Sequence, residues 1–286
     1  MSCGQRRNDG LWSKLMFRSF LFVPGDRPER FDKAVNSGAD AVCIDLEDAV
    51  SPANKDLARR EALAYLDGGA RAAATGVRLN SLDGIEGFRD VVALAESGAA
   101  PSFILMPKVR TRHDVDLLRR ALGDKAAPIW ALMETPQALA AIEGLADSVG
   151  EAGGIVFGGA DFSAAIGADM SWDALFFARA GLIAGAAAAG CQLLDVPYLN
   201  VRDIDGLVAE TRRVKAMGFT GRSCIHPDQV GHINDIYTPT AEEIEKAQAT
   251  IAAYENNKGR VLLHEGRLVE KPVLAAARRI LARRRS

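Results

Sequence analysis

Six short apolar runs of this chain each stop on a polar or charged group. Ile44 is followed by Asp45-Leu46-Glu47-Asp48, Val77 by Arg78-Leu79-Asn80, Met106 by Pro107-Lys108, Met133 by Glu134, Gly158 by Gly159-Ala160-Asp161, and Ile225 by His226-Pro227. A buried strand that repeatedly delivers such a group at the same end is how a parallel α/β barrel builds a catalytic rim, because its chemistry collects where the strands point their carboxyl ends. This rim is mostly carboxylates with two cations, the make-up of a metal-assisted enzyme.

The rest of the chain supports that architecture. Strand-like runs over 20–23, 40–46, 75–79, 102–106, 129–133, 154–158, 191–196 and 219–225 alternate with helical stretches, the pattern of repeated βα units. Pro28–Ser37 has Pro near a helix start and Gly38 past its end. Thr135-Pro136 gives an N-cap and a first-turn Pro, Ser171–Gly190 is capped at both ends, and Thr240-Ala241-Glu242-Glu243 is a capping box opening a helix to about Tyr254. The 286 residues fit one (β/α)8 (TIM) barrel of roughly 250 residues with a small appendage. The expected organisation is a loose arm over 1–17, a barrel over 18–238 and a C-terminal helical extension or lid over 239–286.

Lys+Arg 35 against Asp+Glu 37 leaves a net charge of −2, so no global field draws the chain to nucleic acid or a membrane surface, and an anionic ligand must be gripped locally. The run after Arg18 reaches Pro24 too soon for a signal-peptide core or a membrane span. Cys3, Cys43, Cys191 and Cys224 form no CxxC pair, and three of them lie in apolar stretches, as reduced thiols do. The expectation is a cytoplasmic protein without nucleic-acid or membrane partners.

At the rim, Glu134 and Asp161 end adjacent proposed strands. Two hard oxygen ligands without His or Cys beside them suit Mg2+, with Mn2+ as a substitute. The other reading is that each carboxylate caps the helix that follows. Arg78 offers fixed donors to a carboxylate or a developing oxyanion, or forms a structural ion pair with Glu47. Asp45, Glu47 and Asp48 alternate along one strand, so at most one or two face the mouth, and Glu47 is the choice for the site. Pro24-Gly25-Asp26-Arg27-Pro28-Glu29-Arg30 and Lys33 place a turn and cations at a helix start, either a phosphate grip or a solvated first helix. Lys55, Arg59 and Arg60 read as an exposed helix face, Lys108 as a rim cation or lid anchor, His226 as structural or ligand-orienting, and the terminal arginines as a solvated helix end.

Taken together, Leu21-Phe22-Val23-Pro24-Gly25, Asp45-Leu46-Glu47-Asp48-Ala49-Val50, Val77-Arg78-Leu79-Asn80, Met106-Pro107-Lys108, Met133-Glu134-Thr135, Gly158-Gly159-Ala160-Asp161-Phe162 and Ile225-His226-Pro227 resemble the citrate lyase β-subunit-like CoA-ester lyases of the HpcH/HpaI aldolase superfamily. The resemblance spans about residues 18–275 and is closest to the free-standing citramalyl-CoA and malyl-CoA lyases. It implies a TIM barrel, Mg2+ on Glu134 and Asp161, and Arg78 at the substrate carbonyl. It also implies CoA contacts at Phe22, Val23, Arg27 and Lys33, with Met133 and Ala160 beside the substrate.

The resemblance further implies a homo-oligomer, trimer or hexamer, in which the C-terminal segment of one subunit closes its neighbour's site. That segment ordinarily reads Gly-x-Met-x-Asp-x-Pro, with the Asp moving the proton. Here it reads Gly266-Arg267-Leu268-Val269-Glu270-Lys271-Pro272, so Glu270 stands in the acid/base position. The implied reaction is retro-Claisen cleavage of a 3-hydroxyacyl-CoA to acetyl-CoA and a 2-oxo acid. Rival readings are a malyl-CoA thioesterase, a pyruvate aldolase indifferent to CoA, and a citryl-thioester subunit of a larger complex.

Overall fold

The computed structural model describes residues 16–264 and 266–284. Cys3 and nearly all of the expected N-terminal arm lie outside them. The chain divides into a unit spanning Phe17–Asn234 and a second that includes Asp235–Ser286.

The first unit is a closed barrel of eight parallel strands in sequence order, as the alternation of apolar runs requires. The strands are β1 (Ser19–Pro24), β2 (Ala41–Asp45), β3 (Ala74–Arg78), β4 (Ile104–Met106), β5 (Ile129–Met133), β6 (Gly154–Phe157), β7 (Gln192–Asp195) and β8 (Gly221–Cys224). Closure is made by β1 against β8, with Ser19 opposite Arg222 and Leu21 opposite Cys224. The connecting helices are α1 (Phe31–Val35), α2 (Lys55–Asp67), α3 (Ile85–Glu96), α4 (Arg112–Leu122), α5 (Pro136–Ala140), α6 (Ile142–Val149), α7 (Gly159–Ile166), α8 (Trp172–Ala189), α9 (Ile204–Met217) and α10 (Asp228–Tyr237).

Strand pleating decides which side chains fill the barrel. Phe20, Cys43, Phe103, Leu105, Trp130 and Leu194 form one buried cluster inside it. Phe17, which the sequence reading left in the arm, belongs to the same cluster: its ring stacks on Trp130 with centroids 5.3 Å apart, and its amide donates to Gln192 Oε1 at 2.8 Å. Gly154 makes room for the indole, since a Cβ there would lie 2.5 Å from Trp130. With the lower barrel closed by aromatic packing, a cavity is left at the carboxyl ends of the strands.

The expected caps are present. Ser171 accepts from the amide of Ala174, and Gly190 ends α8 at φ 69°. Eighteen residues long and apolar, α8 could span a membrane by length and composition alone. Its Leu175, Ala178, Leu182 and Ala186 are buried, however, and it packs in the outer ring of the barrel. Lys55 and Arg59 are not an exposed face. Lys55 Nζ donates to Leu46 O, Glu47 O and Asn80 Oδ1 at 2.7, 2.6 and 2.7 Å. Arg59 is buried against Asp90 at 2.6 Å. Both side chains reach inward to hold loops that are distant in sequence, which helical periodicity cannot show. Arg60 is exposed as expected.

In the second unit, α11 (Ala241–Asn256) opens on the Thr240/Glu243 capping box and packs with α12 (Lys271–Ala282). Between them, β9 (Leu262–His264) and β10 (Arg267–Val269) pair antiparallel. Tyr254, Val269 and Leu274 form the unit's small core. Strands of three residues are too short to print a period on the sequence, so this hairpin has no sequence signature.

Candidate active site

Each rim group is set by the strand beneath it. In β2 and β3, Asp45 pairs with Arg78 in register, and their side chains meet. Arg78 Nε donates to Asp45 Oδ1 at 2.6 Å, and Nη2 donates to Oδ2 in a short second bond. The remaining nitrogen lies 3.1 Å from Glu47 Oε2 and 3.6 Å from Asp48 Oδ2. Burial works against the Arg78 charge, yet Asp45 and Glu47 outweigh it and hold the guanidinium firmly protonated. Asp45 is itself fixed by the amides of Glu47 at 2.8 Å and Ala49 at 3.2 Å. Asp45 thus orients Arg78, with Glu47 as a second partner. Glu47 is the expected site residue of this segment, yet it is Asp45, the last residue of β2, that makes both bonds to Arg78.

Glu134 follows β5 and is 3% exposed. It does not cap the next helix: Thr135 does, accepting from the amide of Ala138 at 3.1 Å. Instead Glu134 Oε1 accepts the main-chain N–H of Lys108 at 2.7 Å. Gly158 is the neighbour that permits this placement, because a Cβ there would sit 2.7 Å from Glu134 Cβ. Burial first, then the nearby Glu47 and Asp161 carboxylates, push the Glu134 carboxyl up to about 8. Glu47 is raised as well, first by burial, with Arg78 and Lys108 opposing.

Asp161 lies in the first turn of α7, where an anion is favoured by the helix dipole, and its side chain is 47% exposed. Lys108 Nζ sits between Glu47 Oε1 at 3.0 Å and Asp161 Oδ2 at 4.0 Å. A cavity of about 430 Å³ opens here, lined on its polar side by Asp45, Asp48, Arg78, Glu134, Asp161 and Ser223, and on its apolar side by Phe22, Leu132, Val156, Val196, Leu199 and Ile225 among others.

This donor set fits Mg2+. A buried carboxylate with one amide donor and two acidic neighbours is short of positive charge, and oxygen ligands match a hard cation. Among the described residues no group of three or more His, Cys, Asp or Glu is arranged around one point. A cation held by Glu134 and Asp161 would keep positions for water or substrate oxygens.

The model of the HpcH/HpaI aldolase/citrate lyase family matches residues 18–227. The chain belongs to this family. A second model, for a C–C bond lyase of the TIM-barrel fold, matches residues 175–286. The chain is 34% identical to citrate lyase subunit beta of Leuconostoc mesenteroides subsp. cremoris, over 92% of each chain. It is 35% identical to a (3S)-malyl-CoA thioesterase of Cereibacter sphaeroides, over 93% of this chain and 94% of that one. Identity to the mitochondrial citramalyl-CoA lyase of Rattus norvegicus is 30%, over 92% and 85%. Among solved structures, CitE of Mycobacterium tuberculosis in complex with magnesium, acetoacetate and coenzyme A superposes with a TM-score of 0.77 at 31% identity, covering 93% of this chain and 97% of that one.

Within this family member, Arg78, Glu134, Ala160, Asp161 and Phe22 all line the cavity, and the Arg78 guanidinium lies 5.3 Å over the Phe22 ring. Met133 and Val23, expected at the substrate and at CoA, do not line it: both are buried, Met133 completely. The pleat explains this, since neighbours of inward-facing Glu134 and Phe22 must face the helices. Arg27 and Lys33 are exposed near the mouth of β1. Arg27 precedes a single 3-10 turn at Pro28–Arg30 and Lys33 lies within the five-residue α1, neither element carrying a side-chain cap. His226 is half-exposed, with Nδ1 accepting from the Asp228 amide at 3.3 Å. Glu270 lies in the C-terminal unit, at the N-cap of α12, where its carbonyl accepts from the Leu274 amide at 3.0 Å.

Proposed function

We propose that this enzyme is a Mg2+-dependent lyase that cleaves a 3-hydroxyacyl-CoA, (S)-citramalyl-CoA or (S)-malyl-CoA, to acetyl-CoA and pyruvate or glyoxylate. The observation that carries the reading is the pairing of an acid-rich metal pocket, Glu134 with Asp161, and a preoriented guanidinium, Arg78, in one cavity. Bound Mg2+ supplies Lewis acidity toward the oxygens of the oxo-acid fragment.

The chain's own groups then divide the work. A guanidinium carries five N–H donors. Asp45 engages two and Glu47 lies beside a third, which leaves donors for the thioester oxygen. As the 3-hydroxyl gives its proton to the Glu270 carboxylate and the C2–C3 bond breaks, the bonding pair becomes an enolate on that oxygen. Charge appears there only in the transition state and after it, so Arg78 lowers the barrier rather than tightening the ground state. Glu270 of a neighbouring subunit, in a homotrimer or hexamer, then delivers a proton to the enolate carbon. The apolar wall formed by Leu132, Val156 and Val196 excludes water from the carbanionic intermediate. Arg27 and Lys33 meet the CoA phosphates. The three described cysteines are buried and free, in keeping with a cytoplasmic, reducing location.

A thioesterase reading is favoured by one observation, the 35% identity to a (3S)-malyl-CoA thioesterase. A panel of malyl-, citramalyl-, methylmalyl- and citryl-CoA, incubated with and without Mg2+ and resolved by LC-MS, separates the two. Acetyl-CoA with stoichiometric 2-oxo acid is the expected product. Free CoASH without acetyl-CoA would establish hydrolysis instead, and turnover indifferent to EDTA would remove the metal from the reaction.

A further inference from the structure

Lys108 touches both proposed metal ligands, and does so through different groups. It follows Pro107 at the end of β4 with φ 52°, a left-handed conformation that an L side chain rarely adopts. That turn aims its main-chain N–H at Glu134 Oε1, 2.7 Å away. The next residue continues the same clamp, Val109 O accepting from Thr135 Oγ1 at 3.0 Å. The side chain runs the other way, to Glu47 Oε1 at 3.0 Å and Asp161 Oδ2 at 4.0 Å. Both of its groups are engaged by carboxylates of the site, the N–H by Glu134 and the ammonium by Glu47. The other rim cation differs: Arg78 is committed to Asp45.

We propose that Lys108 is a positioning residue that sets the cation affinity of this site: its main-chain N–H fixes one oxygen of Glu134, while its ammonium neutralises Glu47 and Asp161 and competes with the divalent cation for them. The inference rests on the Mg2+ reading above. The ammonium keeps the acidic cluster compact before metal arrives. Once metal is bound, it stands close to a ligand carboxylate and repels the dication. The resulting affinity is lower than the number of carboxylates alone would give, which lets metal and substrate bind as a set.

The test is calorimetric titration of Mg2+ into metal-stripped full-length protein, comparing wild type with Lys108→Met, Lys108→Gly and Lys108→Arg. Removing the ammonium while keeping the N–H should tighten Mg2+ binding about tenfold in both the Met and Gly variants, the size expected for one unit charge at this range in a partly solvated site. Lys108→Arg should stay within about twofold of wild type. The Gly variant also relieves the left-handed backbone, so it reports on the charge even if Lys108→Met folds poorly. Equal or weaker binding in the charge-removed variants overturns the proposal while leaving the metal site standing. If wild type itself takes up no Mg2+, the metal reading fails and this one with it.

Discussion

Asp195, at the end of β7, is completely buried, and both its oxygens are taken by Arg179, at 3.0 and 3.3 Å. Glu134, at the end of β5, is almost as buried, yet its one amide donor is joined by two more carboxylates, Glu47 and Asp161. Around Asp195 the charges balance: Arg179 and Arg222 face Asp195 and Glu210. Arg179 also stacks on Trp172, its guanidinium carbon 4.6 Å from the ring centre. At the mouth, Arg78 and Lys108 face Asp45, Glu47, Asp48, Glu134 and Asp161. The first cluster pairs its charges one for one and ties β7 and β8 to α8 and α9. The second holds more carboxylates than cations, which is what the proposed metal site requires. Burial alone does not separate a structural ion network from a functional one; charge balance does.

The sharpest way to break this contrast is to neutralise each side. Glu134→Gln and Asp161→Asn should each abolish nearly all turnover by removing one of two anionic ligands. EDTA should do the same to wild type, with Mg2+ or Mn2+ restoring it. At neutral pH the thermal midpoint of the metal-free variants should not fall, since Asp161→Asn relieves like charge and Glu134→Gln replaces a carboxyl that burial already holds largely protonated; a clear drop would make Glu134 a structural residue like Asp195. Next in size, Glu270→Gln should lower kcat by about 10²–10⁴-fold with Mg2+ affinity intact, the usual worth of a positioned acid/base. A fully active variant would move the proton transfer to another group.

On the balanced side, Arg222→Met should cost about 3–5 kcal/mol in denaturant unfolding, because a carboxylate is left buried against one cation too few. A loss under about 1 kcal/mol would show that the network around Asp195 is not closed. The smallest effects belong to cations outside both clusters. Arg27→Ala and Lys33→Ala should raise KM for the CoA ester several-fold with little change in kcat, the signature of lost uniform binding. An unchanged KM would place the CoA handle elsewhere.

The eight strands were legible because each is a short apolar run between helical stretches, and the rim was legible because its residues sit where those runs stop. Glu134, Asp161 and Arg78 could be named on that basis. Asp45 beneath Arg78, and Lys108 between Glu47 and Asp161, could not be ranked above their neighbours. Their importance lies in partners 33 and 61 residues away, and no local pattern encodes such a pairing. Met133 and Val23 are a different case: the two-residue period of a strand already forbade them from facing inward beside Glu134 and Phe22.

Hydrophobic periodicity, turn chemistry and caps are local properties, so the sequence by itself determined that this chain forms a βα barrel and which polar groups stand at its strand ends. The charge balance of each cluster is a sum over groups that only barrel closure brings together. It was therefore the tertiary structure that paired Asp195 with Arg179, turned Lys55 and Arg59 inward, and gathered Glu47, Glu134 and Asp161 around Lys108.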